Sequence, residues 1–200
     1  MIDTVIFDIG NVLASFAWDD YIRRTLKDPV LIEKANDAIR GHGLWDEFDR
    51  GVMSKEEIVD GFVSYATDCE REIRLLCEHL GECMAHFDEA IPWVKSVKAT
   101  GRRVFYLSNY SRDIMADKPD VLDFMPLMDG GVFSCNVHLL KPDRAIYACL
   151  CDKYGLEPSH CVFLDDMEYN VKAARDFGMS GIHVKKHEQA RAELAALLAE

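Results

Sequence analysis

The sequence is short of positive charge and has no long apolar run. Its 200 residues contain 23 Lys and Arg against 35 Asp and Glu, a formal net charge of −12. A surface this acidic repels phosphate backbones and anionic lipids, so we expect neither a nucleic-acid nor a membrane partner. No apolar run approaches the length needed to cross a bilayer. These absences favour a small molecule as the partner, and the sequence predicts no particular oligomeric state.

Paired cysteines and several hydrolase signatures are also missing. The seven cysteines are odd in number and none has Cys-x-x-Cys spacing, which is typical of free thiols in a reducing cytosol. The first strand pattern begins at Thr4, which leaves no room for a signal peptide, so we expect a cytoplasmic protein. The sequence contains no G-x-S-x-G, no H-E-x-x-H and no P-loop. Any hydrolytic chemistry must therefore use other residues.

What the sequence does contain is an alternation of strands and helices. Short buried-strand patterns lie at Thr4–Asp8, Arg103–Ser108, Gly131–Cys135, Cys161–Asp165 and Gly181–Val184. Helical patterns lie at Pro92–Thr100, Asp143–Tyr154, Glu168–Phe177 and His187–Ala199, three of them followed by glycine. This order predicts an α/β fold with a Rossmann-like parallel sheet of about five strands flanked by helices.

The long interval after the first strand is different. From Ser15 to Asp88 helical periodicity dominates, with apolar stripes in Trp18–Leu26 and a capping box at Ser54–Glu57. We therefore predict a small α-helical bundle inserted after strand 1. The predicted division is a core domain of residues 1–14 and 89–200 and a helical cap of residues 15–88, called here the cap segment.

Polar side chains follow the predicted strands at their carboxyl ends, where ligands bind in open parallel sheets. These residues are Asp8 after strand 1, Ser108 and Asn109 after strand 2, Lys141 after strand 3, and Asp165, Asp166 and Asn170 after strand 4. Taken singly, each has an ordinary structural explanation as a turn residue, helix cap or solvated loop side chain. Together, three carboxylates at one edge would repel one another unless a cation lay between them, and hard oxygen ligands select Mg²⁺.

The residues just described carry a family resemblance. The stretches "FDIGNV", "YLSN", "LLKPDRAIY" and "FLDDMEYNV" occur in order along essentially the whole chain. With them the sequence resembles the haloacid dehalogenase (HAD) superfamily, in its phosphatase branch with a helical cap. The first stretch is similar to the FDxGNV motif of bacterial sugar-phosphate phosphatases, including glucose-1-phosphate phosphatases. The resemblance implies a Mg²⁺-dependent phosphomonoester hydrolase that acts on a small phosphorylated metabolite.

The resemblance also implies a role for each residue. Asp8 would be the nucleophile that becomes an aspartyl phosphate, and Mg²⁺ would be held by Asp8, the Gly10 carbonyl and Asp166. Lys141 would neutralise charge on the transferring group. Ser108 would hydrogen-bond a phosphoryl oxygen, helped by backbone N–H groups around Asn109. Asp165 would hold Lys141 in place, and Asn170 would support the metal site.

One position departs from the family pattern. Most phosphatases of this superfamily have an acid–base aspartate two residues after the nucleophile, and this chain has Gly10 there. Such a group contributes about 10²–10⁴-fold in rate. Its loss argues against phosphomutase activity and favours substrates with good leaving groups, such as sugar 1-phosphates or aryl phosphates. At Gly10 we expect a bend that glycine tolerates, with the carbonyl turned toward the metal.

Several alternatives stay open. Trp18 and Trp45 either pack inside the cap or face the cleft, Arg112 either reaches a substrate oxygen or starts a helix, and His138 is interpreted as a loop residue. A metal-independent dehalogenase would lack the Asp165–Asp166 pair. A non-catalytic phosphate-binding or regulatory protein would explain Gly10, and it would bind ligand without turnover.

Overall fold

The computed structural model describes residues 1–199. A five-stranded parallel sheet forms the centre of the protein. The seven strands of the two sheets are β1 (Thr4–Phe7), β2 (Ala14–Phe16), β3 (Met84–His86), β4 (Arg103–Ser108), β5 (Gly130–Phe133), β6 (Cys161–Asp165) and β7 (Ser180–His183). The large sheet has the order β5-β4-β1-β6-β7 with every neighbouring pair parallel. The predicted α/β class and strand number are confirmed.

Eleven α-helices accompany the strands within residues 1–199. Those between β2 and β3 are α1 (Trp18–Thr25), α2 (Pro29–Arg40), α3 (Leu44–Arg50), α4 (Lys55–Tyr65) and α5 (Glu70–Glu78). Those after β3 are α6 (Ala90–Lys98), α7 (Arg112–Asp117), α8 (Ser134–Val137), α9 (Arg144–Tyr154), α10 (Glu168–Phe177) and α11 (His187–Leu198). In the part of the chain that the structure describes, none of these helices has the length and apolarity to span a bilayer.

Apolar side chains of β1 alternate between two faces of the sheet, as strand geometry requires. Val5 and Phe7 belong to the larger apolar cluster, which also contains the buried residues of α6, α11 and the cap segment. Ile6 belongs to the second cluster, together with Ile146 and Leu150 of α9. The sheet is therefore covered on both faces, which is why its central strand is apolar throughout.

The strand order places the residue after β1 at the centre of one sheet edge. β1 pairs with β4 on one side and with β6 on the other, with Phe7 opposite Tyr106 and Leu164. The chain order of the strands reverses here, and such a switch point opens a crevice beyond the carboxyl ends. Asp8 consequently lies between the ends of β4 and β6.

The cap segment is not purely helical, which corrects the sequence interpretation. Strands β2 and β3 pair antiparallel, with Ser15 opposite Ala85, and form a two-stranded ribbon where the chain leaves and rejoins the core. Each strand has three residues, too few to produce a recognisable alternating pattern. The third predicted strand also ends earlier than expected, because Ser134 begins α8. The division into residues 1–14 with 89–200 and 15–88 stays a prediction.

Candidate active site

Asp8 is a buried carboxylate with an incompletely satisfied oxygen. Its backbone N–H donates to Leu164 O at 2.8 Å, which fixes the residue directly beyond β1. Its Oδ1 pairs with Lys141 Nζ at 2.8 Å and has no other hydrogen-bond partner among the described residues. Burial raises the pKa of Asp8 to about 7, with the charge of Asp165 adding to the shift and Lys141 opposing it. The carboxylate has room for a further positive partner.

Lys141 is held between two buried carboxylates. Its Nζ donates to Asp165 Oδ2 at 2.6 Å, and both side chains are almost fully shielded from solvent. Burial alone would lower the pKa of Lys141, but the charges of Asp165 and Asp8 raise it, so the ammonium stays protonated. The Asn109 side chain holds the Lys141 backbone through two hydrogen bonds. Its Oδ1 accepts from Lys141 N–H at 2.8 Å, and its Nδ2 donates to Lys141 O at 3.0 Å. The lysine is thus fixed with its charge beside Asp8.

The oxygens of Asp165 are fully used within the protein. Besides Lys141, Asp165 accepts hydrogen bonds from Asn170 Nδ2 at 3.1 Å to each oxygen and from Met167 N–H at 2.8 Å. Asn170 is also buried, and its backbone carbonyl accepts from Tyr147 Oη at 3.0 Å. Asp165 therefore orients Lys141, and Asn170 orients Asp165.

Three aspartates converge where the sequence predicts a metal. Asp8, Asp165 and Asp166 each offer one carboxylate oxygen, and the three oxygens lie within 4.8 Å of one another. Asp166 is half-buried, and burial raises its pKa. Because Asp165 is saturated by its own donors, Asp8 and Asp166 are the carboxylates available to an ion. This hard oxygen donor set fits a divalent cation such as Mg²⁺.

The unusual backbone geometry lies at Asn11 and not at Gly10, which corrects the expectation. Asn11 has a φ of 55°, in the left-handed region that asparagine tolerates, whereas Gly10 has no positive φ. Asn11 Nδ2 donates to Asp166 Oδ2 at 2.9 Å, and Asn11 Oδ1 accepts from Phe16 N–H at 3.0 Å. A Cβ at Gly10 would meet no atom within 4 Å. Asn11 therefore makes the turn and orients Asp166, a role that sequence reasoning missed.

A cavity of about 280 Å³ lies over these residues. Its core side contains the predicted residues Asp8, Gly10, Ser108, Asn109, Lys141, Asp166 and Asn170. The cap segment supplies Phe16, Arg40, Trp45, Asp46, Asp49 and Met84. The structure thus brings most of the predicted site together and encloses it with side chains from the inserted helices.

Arg40 and Trp45 form one wall of the cavity. The Arg40 guanidinium carbon lies 4.4 Å from the Trp45 ring centroid and 5.3 Å from the Phe16 ring centroid. Burial lowers the pKa of Arg40. Trp45 also packs on Phe48 and Trp18, so it is part of the cap core and of the cavity at once. Trp18 does not line this cavity, and its Nε1 donates to Asn36 Oδ1 at 2.7 Å within the cap segment.

Asp49 is a buried acidic residue that sequence reasoning also missed. It lies in α3, four residues after Trp45, so the two share one helix face. Burial raises the pKa of Asp49 to about 7, and the positive charge of Arg40 opposes this shift. The sequence held one signal for Asp49, its spacing of four residues from Trp45. If Trp45 faces the cavity, a residue four positions later on the same helix faces it too.

Residues 2–178 match the haloacid dehalogenase-like hydrolase family. The chain belongs to this family. It is 27% identical to the chloroplast flavin mononucleotide hydrolase 1 of Arabidopsis thaliana over 77% of this chain and 62% of that protein. It is 24% identical to the sesquiterpene phosphatase astK of Aspergillus oryzae over 90% of this chain and 88% of that protein. The match spans only 11–19% of several longer curated relatives.

A solved structure of a HAD family enzyme shares the fold of this hydrolase. The enzyme, from Bacteroides thetaiotaomicron in complex with magnesium and inorganic phosphate, has a TM-score of 0.71 and 17% identity, over 91% of this chain and 93% of its own. At this identity the likeness shows the α/β fold. It also shows that a structural neighbour with the fold binds magnesium and phosphate.

Arg112, a candidate substrate-binding residue of this hydrolase, and His138, interpreted as a loop residue, lie outside the cavity lining. Arg112 begins α7 after the N-cap Ser111, and its guanidinium donates to Cys135 O at 2.6 Å. This placement favours the helix-start interpretation over contact with substrate. His138 follows α8 with a φ of 59°, and its Nδ1 lies 2.9 Å from Arg50 O. Both residues connect neighbouring elements.

Proposed function

We propose that this hydrolase is a Mg²⁺-dependent phosphomonoesterase that acts on a small phosphate ester through an aspartyl-phosphate intermediate. The observation that carries the proposal is the buried carboxylate of Asp8, which lines the cavity, pairs with Lys141 Nζ at 2.8 Å and has an oxygen within 4.8 Å of one from Asp166. A carboxylate in such a position can attack a phosphorus atom held above it. The name of a phosphatase relative supports the same class of reaction.

The proposed metal would be held by Asp8, Asp166 and the Gly10 carbonyl. When bound, Mg²⁺ supplies charge neutralisation for the phosphoryl oxygens. The donor set supports this ion, because carboxylate oxygens select hard cations and oxygens of Asp8 and Asp166 lie within 4.8 Å of each other. The magnesium complex of a structural neighbour supports it further.

The chain's own residues bind and orient the phosphoryl group. Protonated Lys141 neutralises negative charge as the group moves to Asp8, and Asp165 keeps the lysine in place. Ser108 and Asn109 are proposed to bind phosphoryl oxygens at the end of β4. An Asp8 oxygen forms a bond to phosphorus while the ester P–O bond breaks, and water later releases inorganic phosphate. Phosphoryl transfer depends mainly on such positioning and charge neutralisation.

The cavity supports a small molecule as the substrate. Its volume of about 280 Å³ and the stacked Arg40–Trp45 wall suit a compact phosphorylated metabolite with a flat or polar group beside the phosphate. We propose a sugar 1-phosphate as the natural class, with aryl phosphates as test substrates, and a cap segment that selects among them. We propose no nucleic-acid or membrane partner, in keeping with the net charge of −12.

The test is a panel of phosphate esters assayed with Mg²⁺ and with EDTA, for the wild type and for Asp8→Asn. We expect phosphate release with Mg²⁺, loss in EDTA, and at least about a 10³-fold lower rate in Asp8→Asn because the nucleophile is gone. Full activity in the variant would refute the nucleophile. Ligand binding without turnover would indicate a binding protein, and chloride release from a haloacid in EDTA would indicate a dehalogenase.

A further inference from the structure

The proposed reaction needs a proton donor that the first motif does not supply. When the ester bond breaks, the leaving oxygen must gain a proton, and water must lose one when the aspartyl phosphate is hydrolysed. Gly10 has no side chain to serve either step. A group elsewhere in the cavity must do so if alkyl phosphates are to react at useful rates.

Four protonatable side chains line the cavity outside the nucleophile, lysine and metal-binding set. They are Asp46, Asp49, Tyr110 and Tyr169. Burial raises the pKa of both tyrosines from an already high value, which makes them weak acids at neutral pH. Asp46 is exposed, whereas Asp49 is buried and has a pKa of about 7. Of the four, Asp49 has the acidity that suits exchange of a proton near pH 7.

The Asp49 backbone is also hydrogen-bonded toward the end of the cavity where we propose that phosphate binds. Ser134 Oγ donates to the Asp49 backbone carbonyl at 2.6 Å, and Tyr110 N–H donates to the same Ser134 Oγ at 2.9 Å. Tyr110 immediately follows Ser108 and Asn109, the residues proposed to bind phosphoryl oxygens. Two hydrogen bonds thus connect Asp49 to the loop that ends β4.

The helix that carries Asp49 packs closely on the core just beyond it. Gly51 ends α3 with a φ of 70°, and a Cβ there would lie 2.9 Å from Cys135 Cβ. His138 Nδ1 lies 2.9 Å from Arg50 O. The C-terminal end of α3 therefore packs directly on α8, which holds the backbone next to Asp49, and Asp49 itself lines the cavity.

We propose that Asp49 of the cap segment is the acid and base of the reaction, in place of the aspartate that Gly10 lacks. The proposal rests on the proposed function. In the first half-reaction the Asp49 carboxyl gives its proton to the leaving oxygen as the ester P–O bond breaks and the Asp8–phosphorus bond forms. In the second, the Asp49 carboxylate takes a proton from water, whose oxygen bonds to phosphorus as the Asp8–phosphorus bond breaks. Both side chains return to their starting states.

The surroundings of Asp49 keep its proton available. Burial favours the neutral carboxyl, and Arg40 favours the charged form that follows proton transfer. The titratable or charged groups that act on Asp49 are Arg40 of α2, Asp46 of α3, Cys83 before β3, Tyr110 after β4, Cys135 of α8 and Lys141. The two cations and the buried position work in opposite directions, which leaves the group able to gain and lose a proton.

The test compares Asp49→Asn with wild type on two substrates at saturating Mg²⁺, p-nitrophenyl phosphate and an alkyl phosphate. An alkoxide leaving group needs the proton and nitrophenolate does not. We expect kcat/KM to fall about 10²–10⁴-fold on the alkyl ester and to change less than about tenfold on p-nitrophenyl phosphate. A burst of about one nitrophenolate per enzyme should appear, because hydrolysis of the aspartyl phosphate also loses its base. For wild type we expect kcat/KM on the alkyl ester to fall above about pH 7, and in Asp49→Asn this fall should be absent.

Two further variants make the test specific. Glu47→Gln removes a carboxylate from the same helix but outside the cavity lining, and it should leave both kcat/KM values near wild type. Gly10→Asp added to Asp49→Asn should restore part of the alkyl activity, because a Cβ at Gly10 meets nothing within 4 Å. Circular dichroism tests whether each variant is folded. If Asp49→Asn is not folded, Asp49→Glu serves as the variant that retains the acid.

The outcomes separate this inference from the proposed function. Equal losses on both substrates, or unchanged alkyl activity in Asp49→Asn, would overturn the role of Asp49 while an inactive Asp8→Asn still upheld the phosphatase. Full activity in Asp8→Asn would overturn the phosphatase mechanism itself. Alkyl activity that Asp49→Glu retains and Asp49→Asn loses supports the proposal.

Discussion

Lys141 shows how one cation can serve two carboxylates at the residue scale. Its Nζ lies 2.6 Å from Asp165 and 2.8 Å from Asp8, but Asp165 has three further donor contacts and Asp8 Oδ1 has no other hydrogen-bond partner among the described residues. Asp165 therefore fixes the position of the lysine, and the ion pair with Asp8 keeps a positive charge beside that carboxylate.

Ionisation of Asp49 should reduce the stability of the folded protein at neutral pH, because the pKa of Asp49 is higher in the folded than in the unfolded chain. The folded protein holds this proton up to about pH 7, whereas an unfolded aspartate releases it near 3.8. The stabilisation from that proton is complete below about pH 4 and is lost as the pH rises through 7. Asp49→Asn has no such loss, so we expect it to be more stable than wild type at pH 8, by on the order of a few kcal/mol.

The measurement is thermal unfolding of Asp49→Asn and wild type between pH 4.5 and 8.5. The difference in Tm should grow with pH and become constant above about pH 7. Asp46→Asn, at an exposed position of the same helix, is the control and should show no comparable growth. A difference that is constant across the range would contradict the raised pKa.

The sequence predicted the site residues that follow strands and missed those that depend on tertiary contact. Asp8 and Asp166 stand at strand ends, where topology alone brings them together. Asn11, Arg40 and Asp49 reach the cavity through a left-handed turn and two cap helices, whose orientation no local pattern encodes. Arg112 looked suitable by position, but its guanidinium donates to the nearby carbonyl of Cys135.

At the scale of elements, the sequence predicted the buried strands of the large sheet and the helices that end at glycine. The helix Glu168–Phe177 has the predicted bounds, because Gly178 at a φ of 115° ends it where the sequence indicates. The two-stranded ribbon was missed because it is held by pairing between distant segments, Ala14–Phe16 and Met84–His86. Its stability comes from the partner strand and not from local propensity.

Helix α3 provides a prediction with a matched control, because a glycine with positive φ lies at each end. Gly43 has a φ of 73° and Gly51 a φ of 70°, so alanine should cost about 1–2 kcal/mol of conformational strain at either position. Only at Gly51 would the new Cβ meet the core, 2.9 Å from Cys135 Cβ and 3.0 Å from its Cα. Overpacking of this kind costs about 1–3 kcal/mol more.

Urea denaturation of Gly51→Ala and Gly43→Ala measures the difference. We expect Gly51→Ala to lose more free energy of unfolding than Gly43→Ala by at least about 1 kcal/mol. Alkyl phosphatase activity should fall in Gly51→Ala alone, because the shift moves α3 and Asp49 with it. Equal losses in the two variants would show that α3 does not rest on α8 as described.

At the scale of the whole molecule, a divalent cation should stabilise the fold. The folded state gathers Asp8 and Asp166 from separate segments, and an unfolded chain does not. Binding to the folded state alone adds about 2.7 kcal/mol at a free Mg²⁺ concentration of 100 Kd. We therefore expect Mg²⁺ to raise the Tm of wild type and to raise that of Asp166→Asn much less.

Differential scanning fluorimetry at constant ionic strength tests this prediction without an activity assay. Sodium chloride must replace Mg²⁺ in the reference sample, because a chain with net charge −12 responds to any salt. Asp46→Asn controls for the loss of one negative charge and should keep the wild-type response. Equal Mg²⁺ responses in Asp166→Asn and wild type would place the ion elsewhere.

The two-stranded ribbon has a consequence for how new specificities can be built on this scaffold. Because Ser15 and Ala85 face each other across one backbone pair, the helices between them leave and return at adjacent points. A graft of a different helical module, joined at the ribbon, would leave the five-stranded sheet and its register untouched. Chimaeras cut there would exchange the cap side of the cavity, Asp49 included, and would keep Asp8, Lys141 and Asp166 of the core in place.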